Sequence, residues 1–144
     1  MAFRRSMGLR NKLLTDGGFK SVMDSGHLRF YSGAQPATPE SVETGVMLCE
    51  IGTAGLAWGT AGSGVINKSA ATWSGTCAVA GIAGWFRYYD TNYFTGSDGA
   101  GTAMRFDGAI GSVTGDIILT PTNLAVNAPV IVDSLQVSLD MNNS

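Results

Sequence analysis

An all-β domain behind a short helical segment is what this chain's residue pattern implies. Short apolar runs are separated by turn residues roughly every 8–12 positions, the spacing of a sandwich, jelly roll or barrel. Glycine supplies 20 of the 144 residues, too many for a helical bundle, because glycine costs about 1 kcal/mol in a helix interior relative to alanine. No strand–helix–strand alternation builds a parallel sheet.

The elements follow in order. In Ser6–Leu14, the apolar residues Leu9, Leu13 and Leu14 share one helical face, and Asp16-Gly17-Gly18 ends the helix. Phe19, Val22 and Met23 continue at helical spacing up to Gly26. Residues 1–26 therefore read as a basic arm with two short helices, and 27–144 as the β domain. His27–Tyr31 alternates, with Leu28 and Phe30 on one face and His27, Arg29 and Tyr31 on the other. Residues 32–45 form a loop, since Pro36 and Pro39 cannot serve a ladder. Strands are predicted at 46–51, 63–68 and 75–80. The Gly-rich stretch 52–64 is read as a long loop carrying Trp58, and Trp73 is placed near a turn.

Residues 83–90, AGWFRYYD, give the strongest strand signal, because aromatics suit a pleated surface. Trp85, Arg87 and Tyr89 fall on one face, Phe86 and Tyr88 on the other. Further strands are predicted at 103–106, 115–120, 122–126 and 130–140. In the last of these Leu135, Val137 and Leu139 point inward and Gln136, Ser138 and Asp140 outward.

Charge narrows the function. Charged residues make up 14% of the chain, against about 25% in an average domain. So neutral a surface suits a subunit that is covered by copies or partners. The net charge of −2 hides a division. Residues 1–30 carry Arg4, Arg5, Arg10, Lys12, Lys20 and Arg29 against Asp16 and Asp24, a net +4; the remainder carries −6. A basic segment on an acidic body can dock on an acidic neighbour. Arg4, Arg5, Arg10 and Lys12, with Leu9 and Leu13, are therefore candidate interface residues. Trp58 and Trp85 join them as large aromatics that an interface can bury.

Chemistry is sparse. His27 is the single histidine and has no metal-ligand spacing around it, so it reads as a polar strand residue. A nucleophile elbow, a phosphate-binding glycine motif and an EF-hand spacing are all lacking. Asp98-Gly99 and Asp107-Gly108 read as turns, and Glu40, Glu43 and Glu50 as exposed acids. The expectation is a protein that is no enzyme and holds neither metal nor cofactor. Six cations without a groove-reading motif predict no nucleic-acid partner. The opening lacks the apolar core of a signal peptide, and no run reaches the length of a membrane span. Synthesis in the cytoplasm is expected. In that reducing setting Cys49 and Cys77 read as two buried, unbridged thiols.

Several segments together resemble small virion proteins of tailed bacteriophages, most closely capsid cement, or decoration, proteins. They are SMGLRNKLLTDGGFKSVMDSGHLRFYSGAQP, TGVMLCEI, WSGT at 73–76, AGWFRYYD and VDSLQVSLD. The resemblance implies a jelly-roll-like β-sandwich, self-association as a homo-oligomer, binding to the major capsid protein on the capsid surface, and no catalysis. The competing expectation is a small tail or baseplate protein, or a carbohydrate-binding receptor protein of the virion.

Overall fold

The computed structural model describes residues 3–138. The elements are β1 (Arg4–Arg5), α1 (Met7–Thr15), α2 (Phe19–Met23), β2 (Gly26–Ser32), β3 (Met47–Leu56), β4 (Val65–Asn67), β5 (Trp73–Cys77), β6 (Gly81–Tyr89), β7 (Arg105–Gly111), β8 (Ile117–Ile118), β9 (Asn123–Leu124), β10 (Pro129–Val132) and β11 (Gln136–Ser138). The fold is all-β with two short helices, as the patterning implies. A nine-stranded sheet runs β1-β7-β6-β2-β3-β5-β10, with β8 beside β7 and β9 beside β6; β11 and β4 form a separate ribbon. Every pairing is antiparallel except β7 with β8.

Strand β6 lies between β2 and β7, and its alternation divides the molecule. Phe86 and Tyr88 meet Leu28, Phe30 and Phe106 on one face, where they are covered by Leu9 and Met23 of the helices, Ile66 and Val137 of the ribbon, and Trp58 and Trp73. The rings interlock: Tyr88 stacks on Phe106 at 5.1 Å between centroids, and Trp58 sits edge-on to Trp73 at 5.1 Å. On the opposite face stand Trp85, Arg87 and Tyr89, also buried.

The N-terminal segment is part of this core. Arg4 and Arg5 pair with Asp107 and Phe106 as an edge strand. Ser6 caps α1 by accepting from Leu9 N at 3.2 Å, and its hydroxyl also donates to Ala103 O at 2.6 Å. A β-carbon at Gly8 would lie 2.5 Å from Ala103 O, so only glycine lets the helix rest on that backbone. Within the arm expected over 1–26, the described residues from Arg4 to Leu9 are fastened along the chain's own sheet, because the cap and Leu9 find partners there.

Other expectations are corrected. The stretch 52–56 belongs to β3 as an irregular extension: the register with β2 jumps from Leu28↔Ile51 to Gly26↔Leu56, and Gly52 and Gly55 adopt positive φ. Trp73 opens β5. Asp107-Gly108 is the middle of β7, where the missing side chain at Gly108 makes room for the Phe86 ring. The predicted strand 130–140 is broken at residues 133–135 into β10 and β11. Leu135 and Val137 are buried as expected, while Leu139 and Asp140 lie outside the described residues. Cys49 and Cys77 are bridged. They are directly opposed on β3 and β5 with Cα atoms 4.1 Å apart, so antiparallel pairing brings their sulfurs together.

Candidate functional site

Period-two alternation places one row of charges across the sheet. Arg4, Asp107, Arg87, Arg29 and Glu50 follow one another in register from β1 to β3. Arg87 and Asp107 are fully buried and joined by two hydrogen bonds, Nε to Oδ1 at 2.6 Å and Nη2 to Oδ2 at 3.0 Å. Such a bidentate pair is stable in the interior only when its remaining hydrogen-bonding capacity is met.

Two loops meet that demand for Arg87 and for Arg105, its neighbour on the same face, from β7. From 32–46, Ser41 O accepts from Arg87 Nη1 at 2.8 Å and Pro39 O accepts from Arg105 Nε at 2.7 Å. From 90–104, Phe94 O and Gly96 O accept from Arg105, each at 2.8 Å. Glu43 joins the loops. It accepts from Gly96 N and from Tyr89 Oη, each at 2.8 Å, and lies 3.3 Å from Arg87 Nη1. Burial works to raise its pKa, but the Tyr89 and backbone hydrogen bonds and Arg87 outweigh it, so Glu43 stays below the usual carboxylate range. Arg105 is less basic than a free guanidinium, first through burial and then through Arg87 beside it. At the far end Tyr93 stacks on His27 and donates to Glu50 at 2.5 Å. Burial raises the Tyr93 pKa, and its bond to Glu50 adds to the rise. These groups hold loops down; their donors and acceptors are committed to one another.

The surface groups lie elsewhere. Arg4, Arg5 and Arg10 line one open groove of about 570 Å³ together with Glu40, Asp116 and Gln136. Arg4 donates to the carbonyls of Pro36 and Ala37, and its Nε is buried without a partner. Arg5 lies with its guanidinium over the Phe3 ring. Arg10 is exposed. The groove's two carboxylates are engaged locally: Glu40 accepts from Met7 N at 2.6 Å and Asp116 from Ala109 N at 2.9 Å. Among the described residues, no carboxylate stands within ion-pair distance of Arg4 or Arg10.

The other sequence-level candidates are not gathered there. Lys12 pairs with Asp16 at 2.9 Å, one helical turn on. Leu13 lines a smaller apolar groove of about 290 Å³ with Phe19, Ile66 and Val137. Leu9, Trp58 and Trp85 are buried in the chain's own interior, which removes them as contact surface. Trp58 donates to Tyr88 Oη at 3.1 Å, and Trp85 stacks on Tyr31. Sequence reasoning missed Arg87, Arg105, Asp107 and Glu43 as a unit. One signal was present: a charge at the centre of the most aromatic strand requires a buried partner.

Comparison with protein-family models, with curated proteins and with solved structures finds no match. Among the described residues no cluster of three or more His, Cys, Asp or Glu is placed to hold a metal ion. No described helix is long and apolar enough to cross a membrane.

Proposed function

We propose that this protein is a structural virion component of a tailed bacteriophage: a capsid cement protein that binds the major capsid protein and further copies of itself on the capsid surface. The observation that carries the reading is the groove uniting Arg4, Arg5 and Arg10. It turns a basic stretch of sequence into one contact surface on an otherwise acidic body. The short segments that resemble cement proteins support the same reading. So does the framework: a cement protein must transmit load, and here a bridged sheet is filled on one face and pinned on the other. Disulfides persist on virion surfaces, so the Cys49–Cys77 bridge suits a chain made in the cytoplasm and released on a particle. The jelly-roll order belongs to this proposal through the resemblance; the strand pairing supplies the all-β character.

Co-sedimentation tests the reading. Tagged protein mixed with emptied heads and with detached tails, then separated on a density gradient, is expected to travel with heads. Migration with tails alone would transfer it to the tail or baseplate class, and binding to neither would overturn the virion role.

A further inference from the structure

A separate cleft of about 290 Å³ is lined by residues from 118–124 and from 129–134. It shares no lining residue with the basic groove. Both of its walls are fixed from behind. Ile118 is paired with Gly111 of β7, and Leu119 N donates to Gly111 O at 2.9 Å. On β10, Val130 and Ile131 are paired with Gly75 and Ser74 of β5. Leu119, Leu124 and Val130 are buried, so the cleft needs little ordering to receive a ligand. Its volume is close to the lower bound of about 300 Å³ for small-molecule sites.

Two kinds of group line it. Ile118 and Ile131 are 41% and 54% exposed and offer apolar surface to a ligand. Thr120, Asp133 and Ser134 are exposed too, and among the described residues their side chains hold no hydrogen bond or ion pair. Asp133 thus differs from Glu43 and Asp107, whose oxygens are engaged within the chain. We infer that this cleft binds a neutral saccharide, with ring hydroxyls on Asp133, Thr120 and Ser134 and a C–H face of the ring on Ile118 and Ile131. Charge selects the class. No Lys, Arg or His lines the cleft, so an anion would meet Asp133 without a counter-charge. One carboxylate supplies too few oxygens to hold a hard cation. A wholly apolar ligand would desolvate Asp133 without pairing it. A sugar carries donors for the carboxylate, donors and acceptors for two hydroxyls, and C–H surface for the isoleucines. An added strand fits less well, because Pro129 has no N–H to offer it. The inference does not rest on the virion reading, which is carried by a different groove.

The test is a nitrogen-15 NMR titration of the full chain with the methyl glycosides of glucose, galactose, mannose and N-acetylglucosamine. Glycerol and calcium chloride serve as controls. At least one glycoside is expected to move the amide signals of residues 118–120 and 131–134, to saturate in the millimolar range, and to bind equally well as salt rises. Asp133→Asn, at an exposed and unpaired position, is expected to weaken that binding about tenfold with unchanged melting. Thr120→Val keeps the shape, removes one hydroxyl, and serves as the second variant, expected to bind more weakly. Failure of all four glycosides to move these signals would overturn the inference. So would equal shifts with glycerol, which would mark unspecific wetting, or with calcium chloride, which would mark a cation contact at Asp133. Sugar binding that both variants leave unchanged would overturn it as well, by placing the sugar elsewhere. Dimers that exclude the glycosides would assign the cleft to a second copy and overturn it too.

Discussion

The two faces of the central sheet are built by the same strands and both are buried at their centres, yet by different physics. Phe30, Phe86, Tyr88 and Phe106 fill one face against helices and ribbon, without a charge among them. Arg87, Arg105 and Asp107 occupy the other beneath two loops, and each is 0% exposed. The first face is held by apolar burial, which is non-directional and tolerates volume-conserving exchange. The second is held by directed bonds to particular carbonyls, so its loops have one register. Irregular backbone cannot offer a ladder to a sheet, but it can offer carbonyl oxygens, and a guanidinium has five donors to receive them.

The comparison breaks most sharply at Arg87. Arg87→Met leaves Asp107 buried and unpaired, and is expected to cost about 3–5 kcal/mol in urea denaturation. Adding Asp107→Leu should recover most of that loss, because the desolvated carboxylate goes with it. A double variant as unstable as the single one would show that the loop carbonyls, rather than the ion pair, dominate this face.

On the apolar face the corresponding fastening is covalent. Cys49→Ala with Cys77→Ala opens a 28-residue separation, and is expected to cost about 2–4 kcal/mol, read as a lower urea midpoint. Both sulfurs are buried, so a thiol reductant should leave the native protein oxidised and reduce it only in denaturant. Rapid reduction under native conditions would mean that β3 and β5 part readily.

The smallest expected effect sharpens the role of the loops. Glu43→Gln should cost about 1 kcal/mol at neutral pH. Glu43 is depressed in the folded state, so its contribution is complete above its unfolded value of about 4.3. It is lost as pH falls through the lower folded value. The stability gap between the natural protein and the variant should therefore close in acid. A gap that persists there would assign Glu43's contribution to shape instead of charge.

Much of this was legible from local pattern. The alternation of His27–Tyr31 and of residues 83–90 assigns each side chain to a face, and Ser6 with Asp16-Gly17 marks the ends of α1. The Gly52–Gly55 extension was not legible, because glycine signals a loop and a bulged strand alike. Asp107-Gly108 read as a turn because the pair's usual role is local, whereas its use here depends on Phe86 from another strand.

The sequence by itself determined the fold class, the two-faced strands and the basic character of the first thirty residues, since each depends on neighbours within a few positions. Tertiary structure alone decided what those features meet. Arg87 finds Asp107 twenty residues away and Ser41 forty-six residues away. Cys49 finds Cys77 through the register of β3 and β5. Leu9 turns inward while Arg10 stays at the surface, because α1 lies on β7 instead of reaching outward. Pairing over such distances depends on strand order and register, which no local spacing encodes.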